Sequence, residues 1–281
     1  MAMTARLLSR TIPGHQVAVV RFVTGVVVTL LACVILRLDL RPKRWGWLIS
    51  RGLFGGAAVL LYFQCIEKIG VGMATLLNYT APVWSLTFAW FFLHERPRKH
   101  AGVALALTLV GVALVTSARA HAFRLGVWEM AGVLSAIFSG MAITSIRATR
   151  MQDPGGRPSE SSWTVFASFT LFGSLTTLPT VLPPIGGWVA PTLHEWFLLI
   201  GCSLLSIVAQ LLMTSSLGRL TAVGLGIIQQ AAVVLTLLGG WLFFHESISV
   251  LGAIGSLLTI GGVLWSVLAD RSSAAPSPAA P

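Results

Sequence analysis

Residues 90–95 read WFFLHE and residues 241–246 read WLFFHE, the same aromatic run closed by a His-Glu pair and repeated 151 residues further on. A zinc-protease helix needs a second histidine four residues after the first, with the glutamate between them. After His94 the next histidine is His100, beyond Pro97, and after His245 there is none. Neither copy therefore carries a metal-ligand spacing. The repetition itself is the observation to explain.

Sliding the chain on itself by the same offset extends the match. Cys65–Val115 overlays Ser216–Ser266 without a gap, placing Lys68 on Arg219, Leu86 on Leu237, Trp90 on Trp241 and Phe92 on Phe243. Beyond the His-Glu pair, Leu107, Thr108, Gly111 and Val112 fall on Leu258, Thr259, Gly262 and Val263. Apolar composition inflates such matches, so the Trp, His-Glu and Gly positions carry most weight. They describe a duplicated helix-loop-helix unit.

Composition names the solvent of that unit. Hydrophobic residues make up 55% of the 281 and charged residues 10%, where a soluble domain carries about a quarter charged. So few charges cannot cover a water-facing surface, and the surface must face lipid. The 28 glycines fit, because small residues let membrane helices approach closely. The net charge of +10 sits in short gaps between apolar segments, which argues against a nucleic-acid partner. Cys33, Cys65 and Cys202 lie singly in apolar segments, without disulfide or metal spacing. No nucleotide-binding motif is present, and no cofactor or metal is expected. Met1–Arg10 has no apolar core of its own, so no cleavable signal peptide is read there.

A bilayer core of roughly 30 Å needs about 20 apolar residues of helix. Nine segments are read as spans: His15–Leu36, Trp47–Ile66, Gly72–Leu93, His100–Thr116, Gly126–Ile146, Ser161–Leu178, Trp196–Leu217, Ala222–Phe244 and Val250–Leu268. They are continuously apolar, which selects helices over the alternating strands of a barrel. With the gap Arg37–Trp45 placed in the cytoplasm, 13 of the 19 Lys and Arg residues, Arg51 among them, fall on the cytoplasmic side. The span ending in WFFLHE then runs inward and the one ending in WLFFHE outward. Inverted repeats of this kind recur in transporters, with the substrate site where the halves meet.

The stretch MATLLNYTAPVWSLTFAWFFLHERPRKHAGVALALTLVGVALV (73–115), its echo at Gly224–Leu264 and ARLLSRTIPGHQVAVVRFVTG (5–25) resemble the EamA-type drug/metabolite transporter superfamily. The resemblance implies an all-α polytopic membrane protein of two inverted five-helix repeats, with both termini cytoplasmic and a central cavity for small metabolites. The chain departs from that pattern at its start, where the first helix is expected to be missing or truncated. The expected organisation is a first, incomplete repeat over 1–118, a second over 119–270 and a disordered tail over 271–281.

Polar groups inside spans are the functional pointers, because each is costly in lipid and turns toward the bundle interior or water. Arg21, Gln64 and Asn78 are expected to line an outer half-cavity and Gln210, Gln229 and Gln230 an inner one, since the repeat maps Asn78 onto Gln229. Interhelical hydrogen bonding is the plainer alternative. Pro82 is expected to kink its helix around the cavity, and Glu129 is the candidate partner for Arg21. Glu95 and Glu246 are expected to be structural, each ending one helix and capping the next. Gly52 and Gly56, like Gly252 and Ser256, are small residues four apart, suited to close packing or to a homodimer. The sequence thus points to secondary or facilitative transport of a small solute across the cell membrane. A structural or regulatory membrane subunit, or an intramembrane enzyme, are the weaker alternatives.

Overall fold

The apolar runs fold as helices because lipid offers no partner for a free backbone N–H or C=O, so each segment must satisfy its own. The computed structural model describes residues 8, 11–95, 99–117, 126–151, 159–183, 186–218 and 250–273. Their helices are α1 (Gly14–Leu36), α2 (Trp45–Asn78), α3 (Ala81–Leu93) and α4 (Lys99–Ser117), then α5 (Val127–Arg150), α6 (Ser162–Thr177), α7 (Leu193–Ser216) and α8 (Val250–Ser273). A short 3₁₀ turn, Leu178–Val181, continues α6. Ala222–Phe244, and with it Gln229, Gln230 and Glu246, lies outside the described residues. Five helices among those described are long and apolar enough to cross a membrane, and the chain is a multi-pass membrane protein.

The expected third span, Gly72–Leu93, is not one helix. At Gly70 the backbone takes φ 80 and ψ 160, a conformation essentially reserved for glycine. There the spanning part of α2, Trp45–Gly70, hands over to the segment 71–78. A second break falls at Tyr79 and Thr80. Pro82 sits in the first turn of α3, where its missing N–H is tolerated, whereas in a continuous helix its ring would strike the Asn78 carbonyl. Tyr79 N–H reaches Thr75 O at 2.9 Å and Thr80 N–H reaches Leu77 O at 3.1 Å, so the chain crosses the break on tight turns.

The WFFLHE motif ends α3. His94 adopts the left-handed conformation, φ 54, and Glu95 N–H closes back on Ala89 O at 3.3 Å. His94 N–H bonds to the same oxygen, and a left-handed residue just past the last turn is a common way for a helix to end.

α2 is central, packed on α1, α5 and α6; α3 lies on α5, α1 also meets α6 and α7, and α8 packs on α4. The chain is inside-out relative to a soluble protein. Leu30, Leu31, Val34 and Ile35 on α1 and Leu204, Leu205, Val208 and Leu212 on α7 are exposed, as a lipid-facing surface requires. Ser85, Thr108, Ser135, Thr144, Thr177 and Thr259 are fully buried. All but Ser135 satisfy their hydroxyls within their own helices, as when Thr108 donates to Leu105 O and Thr259 to Gly255 O.

The α4–α8 contact is reciprocal. A methyl group on Gly111 would overlap Thr259 Oγ1 and lie 2.6 Å from Gly255 O. One on Gly262 would lie 2.7 Å from Thr108 Cγ2 and 3.0 Å from Ala104 O. Gly111 and Gly262, Thr108 and Thr259, and Ala104 and Gly255 are each one repeat offset apart. Gly52 and Gly56 are also internal, meeting Phe172 and Ser168 O, and Thr176 and Gly173, on α6.

Gly111→Val and Gly262→Val are each expected to destabilise the fold by about 1–3 kcal/mol through overpacking. Gly102→Val and Gly261→Val, on the same two helices, have open space around the added group and should leave stability unchanged. Unfolding in mixed detergent micelles measures all four, and equal effects across the set would contradict the packing.

Candidate functional site

α6 starts on a cap, Ser161 Oγ accepting from Thr164 N–H at 3.0 Å, and it turns Phe166, Phe169 and Thr170 toward α1 and α2. Room for them comes from small residues. A methyl on Gly25 of α1 would overlap Thr170, and one on Gly55 of α2 would overlap the Arg51 guanidinium and sit 2.8 Å from the Phe169 ring. Phe22 of α1 meets Phe169 edge to face, 5.0 Å between centroids. The Arg51 guanidinium therefore folds over Phe169, 3.8 Å from its centroid, and donates from Nη2 to Gln210 Oε1 at 2.8 Å. The Arg21 guanidinium lies 6.0 Å from the same ring and 6.0 Å from Phe22.

Arg21 and Gln210 share a cavity lined also by Phe22, Phe166, Phe169, Thr170, Ser206 and Ile207. Its free space is about 10 Å³, room for about one water molecule, far below the ~300–1,000 Å³ usual for ligand pockets. Thr170 Oγ1 donates to Ala167 O at 3.1 Å and Ser206 Oγ to Cys202 O at 2.8 Å. Charge in the cavity is thus cationic, in an aromatic surround.

Several sequence expectations change here. Arg21 and Gln210 do not separate into outer and inner levels; both reach one cavity from helices that converge on it. Glu129 is not the partner of Arg21, because its carboxylate accepts from Gly126 N–H at 2.9 Å at the start of its own helix. Arg51 is not a loop charge: it is 4% exposed, inside the bundle. Sequence position placed it among the orientation charges because it lies only six residues into α2, and the reach of an arginine side chain is not legible in a sequence.

Other predicted residues lie elsewhere. Asn78 Nδ2 donates to Ser135 Oγ at 3.3 Å, and Ser135 Oγ donates to Ala58 O at 2.8 Å. Asn78 thereby links the end of α2 to α5. Gln64 lies where the start of α1 crosses α2, with Gly14 seated on the Phe63 and Gln64 backbone. Pro82 is buried at the break before α3.

The end of the bundle that carries most basic residues is tied by ion pairs and carbonyl contacts. Glu160 is 1% exposed and accepts from Lys43 N–H at 2.5 Å and Arg44 N–H at 2.6 Å, where a carboxylate complements the start of α2. Arg44 Nη1 donates to Ala148 O, and Arg150 Nη1 donates to Glu160 O at 2.6 Å. The Glu95 carboxylate does not cap the following helix; it pairs with Arg147 Nε at 2.7 Å. Arg147 Nη1 in turn donates to Leu217 O at 3.0 Å, which ties the ends of α3, α5 and α7.

A multi-pass helical bundle with exposed apolar flanks and a buried cationic cavity is the architecture of a solute carrier more than of a soluble binding module. The chain belongs to the EamA-like transporter family, whose profile matches residues 1–117 and 126–268. It is similar to the pseudopaline exporter CntI of Pseudomonas aeruginosa, 24% identical over 256 residues that cover 90% of this chain and 85% of the relative. It is also similar to the uncharacterized transporter YdfC of Bacillus subtilis, 25% identical over 268 residues, 91% of this chain and 82% of the relative. One solved crystal structure superposes with a TM-score of 0.74 at 22% identity, over 98% of this chain and 97% of that one, which supports the fold. The protein is a membrane transporter of the drug/metabolite superfamily.

The Glu95–Arg147 pair is enclosed, with side chains 20% and 16% exposed. Glu95→Gln and Arg147→Gln should each destabilise by about 1–3 kcal/mol. The double variant should lose less than the two together, by about 1 kcal/mol or more. A double-mutant cycle in micelles measures this, and additive losses would show that the pair is not coupled.

Proposed function

We propose that the protein carries a small metabolite, of amino-acid, nucleoside or vitamin size, by alternating access between two inverted repeats, without direct ATP drive and without catalysis. The carrying observation is where the cavity lies. Arg21 and Phe22 come from α1 in the first half, and Phe166, Phe169, Thr170, Ser206, Ile207 and Gln210 come from α6 and α7 in the second. A site between the halves is what rocking of one against the other alternately exposes.

Helix pairing supports the same reading. Exchanging α1 with α6 and α2 with α7 converts the α1–α7 contact into the α6–α2 contact, and leaves α1–α6 and α4–α8 mapped onto themselves. The reciprocal Gly111 and Gly262 contacts fit that exchange. The small cavity fits a constricted conformer that opens as the halves move. The discontinuous segment around Asn78 and Pro82 fits the broken helices found near transporter sites. A homodimer through Gly-rich helices would use Gly252 and Ser256 of α8, since Gly52 and Gly56 face α6.

A single cysteine at Thr170, with Cys33, Cys65 and Cys202 replaced by Ser, tests the mechanism in oriented proteoliposomes. Reaction with an impermeant maleimide is expected from both sides in turn, and a solute that undergoes counterflow should raise one rate while lowering the other. Labelling from one side only, whatever solute is present, would sink alternating access at this cavity.

A further inference from the structure

We infer that the transported solute carries a carboxylate, held in this cavity by the guanidinium of Arg21 and reinforced by Arg51, which rests on the lining residues Phe169 and Gln210. The inference deepens the proposed function and rests on the cavity being the solute site.

Both cations are removed from water, Arg21 at 7% and Arg51 at 4% exposure, and both stand over the face of Phe169. Among the described residues Arg21 has no hydrogen-bond or ion-pair partner, although it is more than nine-tenths buried. Arg51 has the neutral Gln210 for Nη2, while its Nε is buried without a partner. A buried charge is tolerated when an opposite charge answers it, and here two like charges lie against one ring. Phe169 lends each a weak attraction through its ring face, which does not neutralise either.

The protein's own carboxylates are committed elsewhere. The chain has nine acidic side chains. Asp39 pairs with Arg41, Glu67 accepts from Gly14 N–H beside Lys68, and Glu95 pairs with Arg147. Glu129, Glu160 and Glu195 accept from backbone N–H groups at the starts of α5, α2 and α7. Asp153, Glu246 and Asp270 belong, by sequence, to segments between or after the spans. The anion that answers Arg21 and Arg51 therefore comes from the solute.

Its class follows from the lining. A planar guanidinium fork matches the two oxygens of a carboxylate and holds them by parallel hydrogen bonds. The Thr170 and Ser206 hydroxyl protons point to their own helices, so they do not compete as donors. Phe22, Phe166, Phe169 and Ile207 surround the cations and suit an apolar body next to the acid. The solute is a compact amphiphilic organic acid.

Purified full-length protein in micelles is titrated with matched acids and amides: acetate and acetamide, 3-phenylpropionate and its amide, N-acetylphenylalanine and its amide. Binding is read by tryptophan fluorescence, with inorganic phosphate and chloride as further arms. At least one acid is expected to bind about tenfold or more tightly than its amide. Arg21→Gln should abolish that preference and Arg51→Gln should weaken it, and the Lys variants should keep part of it. Acids and amides binding alike, a preference that survives both Gln variants, or binding of phosphate or chloride with no acid preference would each overturn the inference. If the Gln variants do not fold, the wild-type acid-to-amide ratio decides alone. Counterflow measured in parallel separates the two claims. Acid preference without counterflow would remove the transport mechanism and leave the anion site, whereas counterflow of neutral solutes without acid preference would do the reverse.

Discussion

Lipid tails are as apolar as leucine, so hydrophobic burial does not by itself hold one membrane helix against another. What holds these helices is close approach, and close approach is available only where a side chain is absent. At Gly111 and Gly262 the backbone of one helix meets Thr259, Thr108 and main-chain oxygens of the other. At Gly25, Gly52, Gly55 and Gly56 the same device seats the Phe166–Phe172 stretch of α6 on α1 and α2. The cavity is a by-product of that second contact. Phe169 enters against Gly55, and the entry folds Arg51 back over the ring instead of letting it run out to the membrane surface.

Close packing leaves little room for water, which constrains every polar group inside. Most serines and threonines solve this within their own helices, as Thr144 does with Gly140 O, Ser203 with Leu199 O and Thr214 with Gln210 O. These residues need no solute and signal none. Arginine has no such local solution, because it has five donors and a charge. Buried polar atoms without partners accordingly gather in two places. Among the described residues, at the basic end they belong to Glu95, Arg150 and Glu160, where the structure supplies other contacts to the same side chains. In the interior they belong to Arg51, beside Arg21, and to Ser174.

Much of this was legible in the sequence, because span length, basic loops and the duplicated Trp, His-Glu and Gly positions are each local or periodic signals. The Gly111–Gly262 offset even names a contact that the fold makes. What could not be read has a common cause: sequence gives depth along a helix axis but not lateral direction or side-chain reach. Arg51 sits near a helix start and was counted with the loop charges, yet its guanidinium turns inward. Depth along the chain puts Arg21 and Gln210 at opposite levels, yet both line one cavity. Glu129 was a plausible partner by depth, yet the free N–H at Gly126 is three residues away and claims it. The breaks at Gly70 and Tyr79 were hidden for another reason, since both interrupt apolar composition without changing it.

The duplication also explains why the site is not itself symmetric. The rocking of two halves proposed above would ask for matched packing, and matched packing is what the repeat carries in Thr108 with Thr259 and Gly111 with Gly262. Binding one solute asks for nothing of the kind. α1 and α2 each place one arginine in the interior, whereas α6 has no charged residue and α7 has none beyond the helix-start Glu195. The second half answers with an aromatic face and an amide, Phe169 and Gln210. A symmetric site would have brought further arginines to the same small space and raised the repulsion that the solute must offset. Placing cations on one half and their apolar and neutral counterparts on the other keeps the scaffold two-fold while the chemistry has a direction, so that an acid can bind with its charge toward one half and its body toward the other.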